Sequence, residues 1–370
     1  MMRIGIVGLG TMGLGIAQVF AQDGHQVLAT DTFAPARATA HDRLRAALQQ
    51  RVDKGAMTTA ARDAVLAAFS VVQTVQDLAS ADLVIEAVAE ALEVKQALFA
   101  ALEAALAPTT VLATNTSSLS IGAIASTLTH PQRLLGLHFF NPAPVMKLVE
   151  LIAAPQTSPA ALTLARRLTE AAGKTVIAAP DRPGFIVNRC ARPFYGEALV
   201  LLEQGRTAAE IESAILAAGY RIGPFGLIDL IGADINLAAT ISLSAAMNNH
   251  PRYHVFQSLR HQVETGALGR KTGTGFLLPA PALTPPPDAD AIAFRIEATL
   301  VNEACWLLAE GGTTQDGIDT ALKLGLNLPR GPFELLRQHT AAKIRATLAA
   351  LEARVPATLK GRYLPAPLLA

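Results

Sequence analysis

The sequence predicts an α/β protein: a mainly parallel, doubly wound sheet with helices on both faces, followed by an all-helical C-terminal region containing two related helical modules. Three observations carry that expectation. From residue 3 to about residue 178, short β-branched apolar runs alternate with longer Ala/Leu-rich segments of helical spacing. The chain opens with a strand-like run, a glycine-rich turn and a helical pattern. After Asp181-Arg182-Pro183-Gly184 the strand signals end.

Taken in order, the strand candidates are Arg3–Val7, Gln26–Ala29, Asp82–Glu86, Thr110–Ala113, Leu134–Phe139, Lys147–Ile152 and Lys174–Ala178. They are almost wholly apolar, as strands covered on both faces should be. Between them Met12–Asp23, Pro35–Val52, Leu92–Leu106 and Pro159–Ala172 have helical spacing. Beyond residue 184 the helical candidates are Phe185–Glu203, Ala208–Ala217, Ala289–Ala309, Gln315–Leu322 and Phe333–Leu351. Pro279–Pro287 holds five prolines in nine residues and reads as a stiff linker. The expected organisation is a first domain over 1–180, a helical domain over 181–278, a linker over 279–288 and a second helical repeat over 289–370.

The repeat rests on a shared pattern. Glu197-Ala198, Gly205, Ile211 and Gly223-Pro224-Phe225 recur as Glu303-Ala304, Gly311, Ile318 and Gly331-Pro332-Phe333. Two helices joined by a Gly-Pro turn cannot bury their apolar faces alone, so the copies should pack together.

The 370 residues are 51% hydrophobic, with 31 basic and 30 acidic side chains and a net charge of +1. That balance offers no electrostatic case for nucleic acid or an anionic membrane as partner. No run approaches the roughly 18 apolar residues of a membrane span. The N-terminus runs directly into a strand and lacks a signal peptide's apolar stretch. Cys190 and Cys305 have no metal or CxxC spacing, which suits a reducing compartment. A cytoplasmic location is the expectation.

Gly8-Leu9-Gly10-Thr11-Met12-Gly13 is a GxGxxG between a strand and a helix. In a Rossmann-type fold the first glycine permits the tight turn, the second a close pyrophosphate, and the third close helix–strand packing. The helix N-terminus supplies N–H groups and a positive dipole end. Asp31 follows the second strand, where an acid binds a ribose 2′-hydroxyl and repels a 2′-phosphate, so NAD is expected over NADP. The same glycines would also serve a tight turn with nothing bound.

His138 ends a strand in Gly136-Leu137-His138-Phe139-Phe140-Asn141-Pro142. If that strand and Lys147–Ile152 reverse about Pro144, His138 and Glu150 lie symmetrically and face one another. Opposed residues have Cβ atoms about 4.5–5.5 Å apart. Such a pair is either a general base with its orienting acid or a structural ion pair. Thr114-Asn115-Thr116-Ser117-Ser118 follows another strand end. It either holds a substrate oxygen or the nicotinamide carboxamide, or caps a helix starting near Leu119. NAD beside such a His–Glu pair suggests alcohol–ketone interconversion without a metal.

Six motifs in order resemble the 3-hydroxyacyl-CoA dehydrogenase family over roughly residues 3–278. They are Gly8–Gly13, Asp82-Leu83-Val84-Ile85-Glu86-Ala87, Asn115-Thr116-Ser117-Ser118-Leu119, His138–Pro142, Pro183-Gly184-Phe185-Ile186-Val187-Asn188-Arg189 and Gly269-Arg270-Lys271-Thr272-Gly273. The resemblance implies a catalytic dyad of His138 and Glu150, with Ser117 on the substrate's 3-oxygen and Asn188 positioning the substrate. It implies cofactor contacts at Asn141, Glu90, Lys95 and Lys271 beside Gly8, Gly10, Thr11, Met12, Gly13 and Asp31, and a coenzyme A contact at Lys54. Implied too are (S)-3-hydroxyacyl-CoA and 3-oxoacyl-CoA as substrate pair, with the acyl group between domains. Longer bacterial members, including 3-hydroxyadipyl-CoA dehydrogenases, carry a second helical copy. Here the linker is short and the second copy lacks a Pro-Gly-Phe-Ile-Val-Asn equivalent, so a structural role is expected. The chain is then either a monomer with an internal pseudo-dimer of helical modules or a homodimer.

Two rival readings share part of this pattern. A β-hydroxyacid dehydrogenase of the 3-hydroxyisobutyrate type also opens with a strand and GLGxMG. It uses a lysine in a glycine-rich segment, a pattern missing at Gly173-Lys174, and Asn248-Asn249 has no lysine four residues before it. A non-enzymatic NAD-binding protein would not require Ser117, His138, Asn141, Glu150 and Asn188. With no hydratase-like region ahead of residue 1, a larger multifunctional polypeptide is not expected. A dicarboxylic substrate would need a cation near the acyl end, which the sequence does not locate.

Overall fold

The computed structural model describes residues 1–369 and divides into two units, one from Met1 to Arg182 and one from Pro183 onward. The first contains strands β1 (Arg3–Val7), β2 (Gln26–Thr30), β3 (Phe69–Val71), β4 (Leu83–Glu86), β5 (Val111–Thr114), β6 (Leu134–Phe139), β7 (Leu148–Ala153) and β8 (Thr175–Pro180). Its helices are α1 (Thr11–Gln22), α2 (Ala34–Asp53), α3 (Thr59–Ala68), α4 (Leu92–Ala105), α5 (Ile121–Ala125) and α6 (Pro159–Ala171). The strands form one sheet in the order β3-β2-β1-β4-β5-β6-β7-β8. Every neighbouring pair is parallel except β6–β7.

The sheet strands are apolar because both faces are covered: β4, β5 and β6 are buried along their whole length. Helix α1 packs Ile16, Val19 and Phe20 into the same cluster as Ile4, Ile6 and Val27 from the sheet. Strand order reverses at β1, which has β2 on one side and β4 on the other. Ligands collect at the carboxyl ends of strands flanking such a switch point. Neither α3 nor β3 figures among the sequence-based elements. Three residues, Phe69-Ser70-Val71, are too few to show a period.

The second unit is helical: α7 (Val187–Glu203), α8 (Ala208–Ala217), α9 (Pro224–Ile231), α10 (Ala233–Ala246), α11 (Gln257–Glu264), α12 (Ala289–Ala309), α13 (Gln315–Leu326), α14 (Pro332–His339) and α15 (Ala341–Arg354). The expected helix over Phe333–Leu351 is two helices. Thr340 leaves helical geometry, with φ 67° and ψ 144°, and its hydroxyl accepts from the Lys343 N–H at the start of α15. The helices α9 to α11 have no counterpart among the expected segments. In α10 the buried Asn236, Thr240 and Ser244 interrupt any apolar stripe.

The recurring Gly-Pro-Phe has a physical basis. In the first copy the buried Glu212 carboxylate accepts from the N–H groups of Gly223 (2.6 Å), Phe225 and Gly226 (both 3.2 Å). In the second, Asp319 accepts from Phe333 (2.8 Å) and Glu334 (3.2 Å). Each carboxylate satisfies N–H groups that a helix start leaves unpaired. A Cβ on Gly223 would fall 2.5 Å from Glu212 Oε2, and one on Gly331 2.3 Å from Asp319 Cγ.

The copies also exchange charges reciprocally. Glu303 of the second copy meets the first copy's Arg189 (2.7 Å), Arg252 (3.0 Å) and Tyr253 hydroxyl (2.6 Å). Glu197 of the first copy meets the second copy's Arg295 (2.6 Å), Arg362 (3.5 Å) and Tyr363 hydroxyl (3.0 Å). Both glutamates are fully buried. Exchange of this kind is the signature of a two-fold contact, here made within one chain. Burial opposes the charge of Arg189, but Glu310 and Glu303 outweigh it and hold the guanidinium pKa above its ordinary value.

Removing one partner of a buried pair leaves an uncompensated charge. Glu303→Gln is therefore expected to lose about 3 kcal/mol or more in urea unfolding. Glu170→Gln, which breaks the exposed Arg166–Glu170 pair, should lose only about 0–1 kcal/mol. Equal losses would show that the buried exchange contributes no more than a surface pair.

Candidate active site

Strand β7 returns beside β6 through the turn over residues 140–147, too short for the crossover that a parallel neighbour needs. The register places His138 directly opposite Glu150. His138 Nδ1 lies 2.7 Å from Glu150 Oε2, with the acid fully buried and the imidazole nearly so. A carboxylate is an acceptor, so the neutral ring carries its proton on Nδ1 and keeps Nε2 as the basic nitrogen. The Phe140 ring packs on the imidazole with centroids 4.5 Å apart. Asn115 Oδ1 accepts from the Phe139 N–H at 2.8 Å and ties the end of β5 to the end of β6.

The loop after β5 is organised by Glu90. Its Oε1 accepts from the Thr116 hydroxyl (2.6 Å), the Ser117 N–H (2.9 Å) and hydroxyl (3.3 Å), and the Ser118 N–H (3.2 Å) and hydroxyl (3.1 Å). Burial works against this charge, but the Thr116 hydroxyl, the Lys95 ammonium and the Ser117 N–H prevail and hold the carboxyl below its usual range. Lys95 is buried, with Nζ 2.6 Å from Glu86 Oε1 and 3.2 Å from Glu90 Oε2. Glu86, fully buried at the end of β4, also accepts from Thr114 Oγ1 and the Val88 N–H, both at 2.7 Å. A chain of charges thus runs from the sheet through Lys95 to Ser117. The helix beyond this loop is capped by Ser120, whose hydroxyl accepts from the Ala123 N–H. The side-chain cap of that helix thus lies two residues beyond the segment 114–118, while within the segment Thr116 Oγ1 accepts from the Leu119 N–H at 3.0 Å.

The glycine turn leaves β1 at the switch point. Gly8 has φ +100°, and a Cβ there would fall 2.5 Å from the Ala87 carbonyl oxygen. A Cβ on Gly13 would lie 1.8 Å from the Gly8 carbonyl oxygen, so strand and helix touch there. At Gly10 no protein atom beyond its own chain neighbours lies within 4 Å of the Cβ position. The protein's own packing does not require glycine at 10, whereas a dinucleotide lying against the backbone would. Gly10 caps α1 without a side-chain bond, and the first turn, with Thr11 and Met12, holds no acid to offset the positive helix end. Asp31 Oδ2 accepts from the Leu9 N–H and Oδ1 from the Phe33 N–H, both at 2.8 Å, which fixes the carboxylate beside the turn. These features fit a dinucleotide.

The NAD-binding domain of 3-hydroxyacyl-CoA dehydrogenase matches residues 3–182, and that enzyme's C-terminal domain matches residues 184–278 and 292–369. The chain belongs to the 3-hydroxyacyl-CoA dehydrogenase family. It is 45% identical to the 3-hydroxyadipyl-CoA dehydrogenase of Escherichia coli K12 over 274 residues, 74% of this chain and 58% of that protein. It is 37% identical to a probable 3-hydroxybutyryl-CoA dehydrogenase of Bacillus subtilis over 74% of this chain and 96% of that one. A crystal structure titled 3-hydroxybutyryl-CoA dehydrogenase from Escherichia coli K12 superposes with TM-score 0.92 and 34% identity, over 100% of this chain and 97% of that one.

In this 3-hydroxyacyl-CoA dehydrogenase the first unit, an NAD-binding domain, gathers the glycine turn, Asp31, Glu90, Lys95, Ser117 and His138 at the carboxyl ends of its strands, and the amino-terminal half of antiparallel β7 brings Glu150 to the same edge. Asn141 is exposed just beyond β6. Lys54 is exposed at the C-terminal cap of α2. Asn188 and Lys271 belong to the second unit: Asn188 in the first turn of α7, and Lys271 with its ammonium 2.5 Å from Asp234. Sequence reasoning gave no role to Glu86 or to Arg43, whose guanidinium donates to the Leu9 carbonyl at 2.8 Å. An acid ending the all-apolar strand Leu83–Glu86 was the available signal for the first. Arg43 lies mid-helix and offered none. Among the described residues, no single helix is long and apolar enough to cross a membrane.

Glu90 ionises more readily folded than unfolded. Its contribution to stability is complete above its ordinary pKa of 4.5 and is lost as pH falls through the lower folded value. The stability difference between the wild type and Glu90→Gln should be constant near neutrality and shrink as urea midpoints are taken to more acid pH. A difference that does not change with pH would show that Glu90 is not held ionised by this loop.

Proposed function

We propose that the chain interconverts (S)-3-hydroxyacyl-CoA and 3-oxoacyl-CoA with NAD, and that His138 and Glu150 carry the proton chemistry. The observation behind this is the buried 2.7 Å contact between His138 Nδ1 and Glu150 Oε2, on the unit that holds the glycine turn. NAD, when bound, supplies the acceptor for the hydride leaving C3. His138 Nε2 takes the C3 hydroxyl proton as the C–O double bond forms, and returns it in the reverse direction. Glu150 holds the ring in the tautomer that presents Nε2 and stabilises the imidazolium. The Ser117 hydroxyl, kept in place by Glu90, donates to the substrate's 3-oxygen, and Asn188 positions the acyl group. Gly8, Gly10, Thr11, Met12, Gly13 and Asp31 receive the dinucleotide, with Lys95 acting through Glu90. Asn141 and Lys271 contact the cofactor, and Lys54 coenzyme A. Cys190 and Cys305, both buried, fit a cytoplasmic setting.

We further propose that the chain is a monomer whose second helical copy stands where single-copy proteins place a partner. The support is the reciprocal exchange around Glu197 and Glu303.

The decisive assay follows NADH absorbance with acetoacetyl-CoA. His138→Gln and Glu150→Gln should each lower kcat by about 10²–10⁴-fold while NADH still binds by fluorescence. A His138→Gln enzyme retaining more than a tenth of the rate would remove the residue from this role. Ending the chain at residue 278 strips the partners from Arg189 and Glu197. The truncated protein should self-associate or aggregate in light scattering, and an unchanged monomer would overturn the pseudo-dimer.

A further inference from the structure

The carboxylate of Asp31 and the guanidinium of Arg43 take opposite ends of one residue in the glycine turn. Asp31 Oδ2 accepts from the Leu9 N–H, and Arg43 Nη1 donates to the Leu9 carbonyl, both at 2.8 Å. A second arginine of α2, Arg37, closes on the carboxyl end of β2. Its Nη1 donates to the backbone carbonyls of Asp31 and Thr32. Two cations of α2 thus flank the acid that follows β2.

No carboxylate answers these cations. Their acceptors are neutral carbonyls, and among the described residues neither guanidinium forms an ion pair. Both use Nη1 alone, which leaves Nε and Nη2 of each for a further acceptor. Arg43 is exposed and Arg37 half-buried, so both are open to a ligand arriving from solvent. The first turns of α1 and α2 hold no acid, and both helices start beyond the carboxyl ends of adjacent parallel strands. Their positive ends add to the same side. Against the single negative charge of Asp31 stand two guanidinium charges.

We propose that Arg37 and Arg43 are specificity-determining residues that attract a 2′-phosphate, so that preference for NAD over NADP rests on the Asp31 carboxylate alone. This rests on the dinucleotide reading of the glycine turn, in which Asp31 faces the ribose 2′-hydroxyl. A hydroxyl there donates to the carboxylate. A phosphate monoester has no such proton, carries a charge of about −1.5 to −2 near neutrality, and is repelled by a neighbouring acid. The same phosphate is a bidentate partner for an arginine fork. Acid and arginines therefore pull selectivity in opposite directions, and the neutral 2′-hydroxyl of NAD gives the arginines no charge to pair with.

The test is binding, read by nicotinamide fluorescence on titrating NADH and NADPH, with the ratio of the two dissociation constants as the readout. Loosening of the turn acts on both nucleotides alike and cancels in that ratio. The wild type should favour NADH at least tenfold. Asp31→Ser removes the charge, keeps a hydroxyl to accept the Phe33 N–H, and should move the ratio at least tenfold toward NADPH. Adding Arg37→Met and Arg43→Met to that variant should take back most of the gain. The two arginine substitutions are also made together with Asp31 in place, where folding does not depend on the Asp31 variant. There they should strengthen the preference for NADH at least threefold. A folded Asp31→Ser protein that still rejects NADPH, or a doubly substituted protein with the wild-type ratio, overturns the proposal and leaves the NAD-binding reading intact. A wild type that binds neither nucleotide overturns that reading, and the proposal with it.

Discussion

The contact between His138 and Glu150 depends on β7 running against β6 while its other neighbour, β8, lies parallel to it. A carboxylate in the middle of a fully buried strand segment carries a large desolvation cost. The imidazole opposite answers it. Because side chains alternate faces with a period of two, a slip of one residue would turn Glu150 to the other face of the sheet and separate the pair. Register, burial and the ring's proton position are thus one constraint. Asn115, by holding the Phe139 N–H, anchors the strand end at which that constraint acts.

A second buried acid organises the neighbouring edge of the site. Glu86 closes β4 and holds Lys95 and Thr114, and Lys95 in turn faces Glu90. Glu90 gathers the N–H and hydroxyl groups of residues 116–118. The loop that presents Ser117 is therefore fixed by charges rooted in the sheet. Networks of this kind are rigid because leaving any member unpaired is costly in a low-dielectric interior. Lys95 reaches this loop through Glu90, since its own ammonium is enclosed by the two acids.

The helical unit solves a different problem with the same physics. Each copy has one fully buried glutamate, Glu197 or Glu303, that the other copy's arginines and tyrosine satisfy. Neither copy can bury its glutamate alone. The charge exchange makes each copy the other's partner, as happens across a two-fold interface between separate chains. Against that background of answered arginines, the neutral surroundings of Arg192 stand apart.

The alternation of apolar strands and amphipathic helices was legible over most of the first unit because strand burial and helical spacing are local patterns. So was the glycine turn: the Gly8 backbone conformation and the tight Gly13 contact arise within ten residues of chain. The facing of His138 and Glu150 was legible too, because a short turn leaves the chain one way back. The brief strand Phe69–Val71 and the break at Thr340 were not, since the first is too short for a period and the second turns on one residue's dihedral angles. Nor could the sequence show that Glu90 takes the hydroxyls of residues 116–118, that Glu86 encloses Lys95, or that Arg192 meets no acid among the described residues. Those facts depend on which groups distant segments bring within about 3 Å of one another. Spacing along the chain fixes who can be neighbours on one element; only packing decides which buried charges from distant segments meet.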